Sequence, residues 1–421
     1  MQRTQDYIDT AKKIFSPIPQ YWDPANYTPD FWHTGNAFTT LIDYYVQLDP
    51  KNPSLSTLPQ QTLASFDQHY NEKDPDNPAY GRWWFDDFGW WGVAFLRAAD
   101  EAATIGLDSG VCLNRAITCW NMNKEGTGVW DRADHTTYRL YGPRFPGGCW
   151  NRDYAAPWGD PRPEVNPPFS VNGRQNTVTN GQYLDLSLRC ALADPQVPDF
   201  RAAAKTMWNW FQSWNGTDVS ADQQLLAILD GSVMYRERAS SYAFVDGRYP
   251  PDTSYDPQHY WAGDQGILLG ALVDLARLDP PNAPSYRSQA RALLQGVLAT
   301  LQDAQNNLLP WHPASFNPDP GDYTTGPGVF LRYLNYAVQQ DAQIMQFVQQ
   351  QPGYQALLQA NAEAAVKNPA ILPGGDWNVA INQLAALLAA ITILAPTPSP
   401  QKLLTPAIGC LRGILLYSVN A

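Results

Sequence analysis

One pattern recurs six times along the chain: a short polar, Gly-rich or aromatic stretch followed by an apolar helical run. Within the runs, apolar residues recur every three or four positions, which is the period of an α-helix. Because the runs are also apolar away from that stripe, we expect their helices to be buried on all sides. A repeat of this kind constrains the architecture more than any other feature of a sequence. The six stretches begin at Trp32, Phe85, Gln175, Tyr260, Thr325 and Gly374.

Three of the runs end with the same kind of triplet. These are Leu48-Asp49-Pro50, Ala193-Asp194-Pro195 and Leu278-Asp279-Pro280. Proline cannot continue a helix, and it disfavours helical backbone in the residue before it. The triplets therefore predict where three of the buried helices end.

More amphipathic segments lie between the runs and predict outer helices. Six buried helices that alternate with five or six amphipathic ones describe an all-α fold, an (α/α)6 barrel. In such a ring the inner helices run parallel, so their N-terminal ends should gather at one mouth. Short hairpins at 138–141 and 242–249 are compatible with this fold, and we expect one domain, 1–421. The predicted outer segments are 54–70, 107–123, 199–214, 285–305 and 354–367.

Composition narrows the class of partner. The chain has 16 Trp, 22 Tyr and 15 Phe in 421 residues. Planar aromatic side chains bind the apolar faces of sugar rings, although Trp also packs protein cores. The net charge of −12 and the lack of any basic run argue against nucleic acid as a partner. A neutral polysaccharide would not be repelled by an acidic surface.

Membrane insertion and metal binding are not expected. The longest apolar stretch, 384–395, is shorter than the ~20 residues that cross a bilayer. The N-terminus lacks the apolar core of a signal peptide, so the protein is either cytosolic or a mature secreted form. The five Cys have no zinc-ligand spacing, and whether any of them pair stays open. The five His form no pair four residues apart, and we expect no metal and no cofactor.

Two adjacent carboxylates, Asp86 and Asp87, lie among four Trp and two Phe. Aromatic surroundings raise the pKa of a carboxyl group, and a neighbouring negative charge raises one of the pair further. Two carboxyls with separated pKa values can serve as nucleophile and general acid. Retaining glycosidases hold these groups ~5–5.5 Å apart, a distance that adjacent residues can supply. The structural alternative, an acidic helix start, has about equal weight from spacing alone.

Other polar and aromatic residues near the predicted mouth are candidates for binding a sugar. The amide side chains among them have an alternative role, which is to cap helices. The candidates are Trp32, Asn36, Trp90, Trp91, Trp150, Asn176, Asn180, Tyr260, Asp264 and Gln265.

At these residues the chain resembles glycoside hydrolase family 76, the endo-α-1,6-mannanases and their fungal cell-wall relatives. The family implies an (α/α)6 barrel and a retaining mechanism, with Asp86 as the nucleophile and Asp87 as the acid/base. Asn151, Gln175 and the pair Gly263-Asp264 depart from the family's usual residues, and the segment 132–174 is longer than usual. These departures concern the choice of substrate. The resemblance is carried by 32–44, 85–92, 147–150, 176–180, 265–270 and 328–334.

The predicted activity is retaining hydrolysis of α-mannosidic linkages within chains, most simply an α-1,6-mannan backbone, by an extracellular monomer. One alternative is a transglycosidase that remodels cell-wall or anchor glycans, although 409–417 is too short and interrupted for an anchor signal. The other is a lectin-like toroid that binds glycan without cleaving it. The presence of both Asp86 and Asp87 argues against this non-catalytic alternative.

Overall fold

A computed structural model of the chain describes residues 2–26, 31–71, 84–127, 145, 147–151, 175–237, 255–311 and 321–395. The hairpins predicted at 138–141 and 242–249, most of the segment 132–174 and the tail 409–417 lie outside these ranges.

The described residues form fifteen α-helices and two β-strands. In chain order these are α1 (Gln2–Phe15), α2 (Ile18–Tyr21), α3 (Phe31–Leu48), α4 (Leu58–Asn71), α5 (Phe85–Asp100), α6 (Ala102–Ile105), α7 (Ser109–Thr127), α8 (Thr177–Ala193), α9 (Pro198–Trp214), β1 (Leu226–Leu229), β2 (Ser232–Tyr235), α10 (Ala262–Leu278), α11 (Ala283–Thr300), α12 (Gly326–Gln340), α13 (Ala342–Gln350), α14 (Pro352–Lys367) and α15 (Trp377–Leu394).

Six of these helices form a closed inner ring. In the order α3, α5, α8, α10, α12 and α15, each contacts the next, and α15 contacts α3. The outer helices α7, α9, α11 and α14 pack on α5, α8, α10 and α15, and α1 also packs on α15. Helix α4 covers α5 through Phe66, whose ring contacts Trp91 and Phe95. The chain is therefore an (α/α)6 barrel, and the predicted fold class is confirmed.

The predicted helix ends are also confirmed. Helices α3, α8 and α10 end at Leu48, Ala193 and Leu278, each directly before an Asp-Pro pair. Burial explains why these helices are apolar nearly all round, since α10 is buried without a break from Ala262 to Ala276. The predicted outer segment 54–70 is divided, with a 3-10 turn at Pro53–Ser56 before α4.

Close helix contact in the ring depends on glycine. A Cβ at Gly266 of α10 would lie 2.7 Å from the Cα of Phe330 in α12. Main-chain atoms cannot swing aside as the end of a side chain can, so α10 and α12 could not keep their present separation around a larger residue.

An antiparallel hairpin, β1–β2, borders the ring beside α10 and α11. Asp230 and Gly231 form its two-residue turn and both have positive φ, 42° and 82°. Asp-Gly is a preferred pair for such a turn. The hairpin is absent from the sequence predictions, although this turn signal was present.

Buried ion pairs occupy the end of the barrel opposite the helix starts. Arg97 Nε lies 2.7 Å from Asp43, and Arg189 Nε lies 3.0 Å from Asp185 and 3.6 Å from Asp274. Burial raises the pKa of Asp185 to about 6, against the opposing effect of Arg189. Two charged clusters therefore join α3 to α5 and α8 to α10.

Helix α15 is long and apolar enough to cross a membrane, by length and composition alone. Its place in the ring, between α12 and α3 with α14 and α1 behind it, accounts for that composition. The four described cysteines, Cys112, Cys119, Cys149 and Cys190, are buried, and none of them forms a disulfide with another. Within the described ranges no group of three or more His, Cys, Asp or Glu side chains is arranged to hold a metal ion.

Candidate active site

Asp86 and Asp87 are the second and third residues of α5, which begins at the barrel mouth. Both are partly exposed, although nearly all the helix after them is buried. Asp86 shares one face of the helix with Trp90, Val93 and Arg97, because helical neighbours recur every three or four positions. Val93 and Arg97 line a small cavity inside the ring, of about 20 Å³. Asp86 therefore lies at the top of the face that α5 turns to the barrel axis.

Asp87 stabilises the start of its own helix. Its Oδ2 accepts a hydrogen bond from the Trp84 N–H at 2.8 Å, and its own N–H donates to the Trp84 carbonyl at 3.1 Å. Two main-chain groups at the helix start are satisfied in this way. Asp87 therefore has the structural role that an acid at a helix start often has, which is to cap the helix. A carboxyl group that caps a helix can also take part in catalysis.

The segment 148–151 holds α5 in place from outside the helix. The Phe85 N–H donates to the Asn151 carbonyl at 2.7 Å, and the Trp150 N–H donates to the Gly126 carbonyl at 3.1 Å. Trp150, a predicted sugar contact, is 2% exposed and lies within this packing. Its observed position indicates a supporting role.

Asn180 anchors the same segment to α8. Its Oδ1 accepts from the Cys149 N–H at 2.7 Å, and its Nδ2 donates to the carbonyls of Cys149 at 3.0 Å and Asn176 at 2.7 Å. Because these bonds use both ends of the amide, the side chain holds main chain and is not turned towards a sugar. Asn176 caps α8 by accepting from the Thr179 N–H at 3.3 Å.

Cys149 connects this support to the acidic pair. Burial raises the pKa of its thiol well above the ordinary value, and the negative charge of Asp86 raises it further. The thiol is therefore neutral and close enough to Asp86 to experience its charge.

Three Trp side chains form what we call the axial aromatic cluster: Trp32, Trp90 and Trp261. The Trp90 ring centroid lies 5.5 Å from that of Trp32 and 6.5 Å from that of Trp261. Because Trp32, Trp90 and Trp261 come from the starts of α3, α5 and α10, the cluster crosses the mouth from one side of the ring to the other. Trp32 is partly exposed, so the cluster presents an aromatic surface at the mouth beside Asp86.

Trp91 does not belong to this surface. It is fully buried against Phe31, Phe66 and Phe95, and its indole N–H donates to the Phe31 carbonyl at 2.9 Å. Trp91 points between the inner and outer helices, away from the mouth where a sugar contact would have to lie.

Asn36 is buried, and its oxygen atoms are occupied within the ring. Its carbonyl and its Oδ1 both accept from Arg332 Nη1, at 3.0 and 2.6 Å. Arg332 lies below the axial aromatic cluster, with its Cζ 6.0 Å from the Trp90 ring. Burial lowers the pKa of this guanidinium group. Sequence reasoning missed Arg332, although it is the only charged residue between Gly326 and Tyr336.

The remaining candidates lie at the start of α10. Gln265 is occupied, since its Oε1 accepts from the Tyr235 N–H at 2.9 Å and its Nε2 donates to the Tyr235 carbonyl at 2.8 Å. Tyr260 is largely buried and hydrogen bonded to Arg236. Both residues hold the β-hairpin and the segment before α10 against the ring.

Asp264 is fully buried, and neither of its carboxylate oxygens has a hydrogen-bond partner among the residues that the structure describes. Burial raises its pKa well above the ordinary value, and the negative charge of Glu237 raises it further. Glu237 follows β2 and was also missed from the sequence, because 27 residues separate it from Asp264 and no local pattern connects them.

The structure therefore divides the predicted site. Asp86, Asp87, Trp32 and Trp90 lie at the starts of the neighbouring helices α3 and α5, with Asp87 also capping its helix, and Asp264 is buried at the start of α10. The others support main chain or fill the core around the mouth, and these are Asn36, Trp91, Trp150, Asn176, Asn180, Tyr260 and Gln265.

No protein-family model and no curated protein matches the sequence. Solved structures do match its fold. One is an α-1,6-mannanase of glycoside hydrolase family 76 from a Salegentibacter species, an inactive variant with two consecutive aspartates replaced by alanine, in complex with an α-1,6-linked mannose tetrasaccharide. It is 14% identical, with a TM-score of 0.57, over 93% of this chain and 98% of that one.

Two further structures share the architecture. Dfg5 from Chaetomium thermophilum, in complex with glucosamine, is 16% identical with a TM-score of 0.56, over 87% of this chain and 82% of that one. An unsaturated glucuronyl hydrolase specific for heparin is 12% identical with a TM-score of 0.54, over 92% of this chain and 97% of that one. At these identities the similarity shows the fold: this is an (α/α)6 barrel of the kind found in the α-mannanases of glycoside hydrolase family 76.

Proposed function

We propose that the protein is a retaining glycoside hydrolase that cleaves α-mannosidic linkages within chains, most simply those of an α-1,6-mannan backbone. The observation that carries this proposal is the position of Asp86 and Asp87: two adjacent, partly exposed carboxylates at the start of an inner helix, beside an aromatic surface. The family 76 mannanase with two consecutive aspartates replaced is described as inactive, which supports the same assignment.

In the proposed mechanism Asp86 attacks the anomeric carbon while Asp87 protonates the departing glycosidic oxygen. Asp87 then removes a proton from water, which attacks the glycosyl-enzyme and releases a product of unchanged anomeric configuration. The N-terminal end of α5 favours negative charge, so it would keep the nucleophile ionised. The axial aromatic cluster would hold the apolar face of a sugar ring.

Action outside the cell and a monomeric state are parts of the same proposal. Their sequence support consists of the glycosylation triplets at Asn26 and Asn215 and the acidic, soluble composition.

The test uses debranched α-1,6-mannan with the wild type, Asp86→Asn and Asp87→Asn. We expect each substitution to lower the rate of reducing-end release by at least about 10²-fold, because a general acid or base usually contributes a factor of that size or larger. Asn retains an oxygen that can accept the Trp84 N–H, so Asp87→Asn should remain folded. Product anomer, followed by NMR from the first turnover, should be α.

Asp199 provides a matched control. It is also an acid in the first turn of a helix, α9, but that helix lies in the outer layer. Asp199→Asn should retain full activity. The proposal is wrong if no α-mannan is cleaved by the wild type, if either site variant stays fully active, or if the first product is β.

A transglycosidase remains the second candidate, because Dfg5 shares the fold and was solved with glucosamine. Adding an α-mannoside acceptor in excess separates the two. Transfer should then produce longer oligosaccharides at the expense of reducing ends, whereas a hydrolase should produce mainly free oligosaccharide. A non-catalytic lectin-like barrel would bind mannan and release nothing, with Asp86→Asn binding as well as the wild type.

A further inference from the structure

Arg332 carries a positive charge into the interior of the barrel. The side chain is 5% exposed, and its guanidinium group stays protonated because its ordinary pKa lies above about 12. The other buried Arg side chains of the inner helices, Arg97 and Arg189, each lie within 3.0 Å of a carboxylate oxygen. Within the described ranges no ion pair includes Arg332. Its charge is therefore balanced differently from theirs.

Neutral groups satisfy only part of the Arg332 guanidinium. Nη1 donates to the two oxygens of Asn36 and, at 3.3 Å, to the Thr40 hydroxyl. The rings of Trp90 and Tyr333 lie 6.0 and 5.8 Å from Cζ, near the outer limit of cation–π attraction. Nη2 is buried and has no hydrogen-bond partner among the residues that the structure describes. Because an uncompensated buried charge destabilises a fold, this arrangement indicates that an anion completes it.

A cavity of about 20 Å³ lies against Arg332 inside the ring. It extends between α5 and α12, which face each other across the barrel, and residues of α3 and α8 also line it. A volume of this size holds one water molecule or one monatomic ion, since a water needs at least about 10–15 Å³. Carboxylates, phosphate and sulfate are too large for it.

The charges around the cavity favour an anion. The lining includes three guanidinium groups, those of Arg97, Arg189 and Arg332, and one carboxylate, that of Asp43. Asp43 is occupied by Arg97, whose Nε lies 2.7 Å from its Oδ1, and the carboxylates that pair with Arg189 do not line the cavity. Arg189 and Arg332 approach the same ring, with their Cζ atoms 5.7 and 5.8 Å from the Tyr333 centroid. An anion among these groups would offset their mutual repulsion.

An ion can reach the cavity without passing the mouth. Gln339 also lines it, and this side chain is exposed near the C-terminal end of α12. That end of the barrel lies opposite the helix starts, where the carboxylates of Asp86 and Asp87 would repel an anion.

We propose that this cavity binds a single halide ion, chloride in physiological solution, with Arg332 as its principal ligand. The ion would connect α12 to α5 across the axis and contribute to the stability of the ring. This inference is independent of the proposed function, because no residue that lines the cavity takes part in the mechanism given there. A water molecule is the alternative occupant, and it would satisfy a hydrogen bond of Nη2 without neutralising the charge.

The direct test is a crystal structure with sodium bromide as the halide salt, measured at the bromine absorption edge. We expect an anomalous difference peak in the cavity beside Arg332, and crystals of Arg332→Gln should lack it. Density without an anomalous peak would identify a water molecule and overturn the proposal.

Thermal unfolding measures the binding in solution. Sodium chloride is compared with sodium gluconate at the same ionic strength and at pH 7, because gluconate is too large for the cavity. An ion that binds only the folded state raises Tm, and we expect Tm in chloride to exceed that in gluconate by at least about 3 °C. Arg332→Gln should remove this difference. Equal Tm values of the wild type in the two salts would contradict the site.

Arg277→Gln is the matched control. Arg277 also belongs to an inner helix at this end of the barrel, but it pairs with Asp274 at 2.7 Å and does not line the cavity. Its replacement should leave the difference between the salts unchanged.

Val93→Leu is the second variant, and it decides the question if Arg332→Gln does not fold. Val93 lines the cavity, so a larger apolar side chain would occupy the space of the ion without changing any charge. We expect the loss of both the bromide peak and the difference in Tm. The proposal is wrong if that difference survives both Arg332→Gln and Val93→Leu, or if Arg277→Gln removes it as well.

Discussion

Replacing Asn180 with Ala tests the view that α8 holds the acidic helix in place through the segment 148–151. The substitution removes three side-chain hydrogen bonds at a fully buried position. It leaves the N–H and the carbonyl of Cys149 without the partner they have among the described residues, at about 1–3 kcal/mol for each unsatisfied group, whereas the Asn176 carbonyl still accepts from the residue 180 N–H at 3.3 Å. Because such losses are not additive and the site can relax, we expect the free energy of unfolding to fall by about 3–5 kcal/mol.

The effect should reach α5, because the Asn151 carbonyl accepts the Phe85 N–H only while the segment is held. Urea unfolding measures the stability loss, and hydrogen exchange by mass spectrometry measures the opening of the Phe85 amide under native conditions. In Asn180→Ala that amide should exchange faster by at least about tenfold.

Asn361→Ala is the control for loss of a partly buried amide. Asn361 lies in the outer layer, where its Nδ2 donates to the Leu357 carbonyl of its own helix at 2.8 Å and its Oδ1 accepts from the Leu309 N–H at 3.4 Å. Asn361→Ala should lower the free energy of unfolding by about 1 kcal/mol and leave the exchange rate of the Phe85 amide unchanged. A loss below about 1 kcal/mol in Asn180→Ala, or an unchanged Phe85 rate, would refute the supporting role of this amide.

Two further predictions concern the ring itself. Gly266→Ala should lower the free energy of unfolding, measured in urea, by at least about 1 kcal/mol, because the added methyl group would meet the Phe330 main chain. The control is Gly374→Ala, where no atom lies within 4 Å of the added Cβ, and it should change the free energy by less than about 0.5 kcal/mol. Equal effects of the two substitutions would contradict the close contact between α10 and α12. Asp185 has a folded pKa of about 6, above the ordinary value, so folding takes up a proton and this contribution to stability rises as pH falls from 7 towards 4. The stability of the wild type relative to Asp185→Asn should therefore increase by up to about 3 kcal/mol over that range, and a difference independent of pH would show that Arg189 keeps the carboxyl ionised throughout.

The ring could be predicted from the sequence because its signals are local. An apolar run after a polar start and an Asp-Pro pair at the end are read within one segment, and α3, α8 and α10 end where those pairs require. The hairpin β1–β2 had a local signal as well, Asp230-Gly231, but its two strands are only four residues long.

The roles of the site residues could be predicted less well, because they depend on contacts between distant segments. Asn180 sits at a helix start like Asn36, yet one holds Cys149 and the other accepts from Arg332. Trp90 and Trp91 are neighbours in the sequence, but a rotation of about 100° per residue places one on the axis and the other in the core. A sequence motif cannot separate such pairs.

Closure of the ring has a consequence for synthesis of the chain. The contact between α15 and α3 joins the last inner helix to the first, so the barrel cannot close until residues beyond 377 have left the ribosome. Until then α3 and α12 expose the apolar faces that α15 later covers, and α1 lacks the helix it packs against. Partly made chains of this kind aggregate easily, and they are the species that chaperones bind. Folding during synthesis should therefore depend on protecting the apolar faces of α3 and α12 until α15 fills the gap between them.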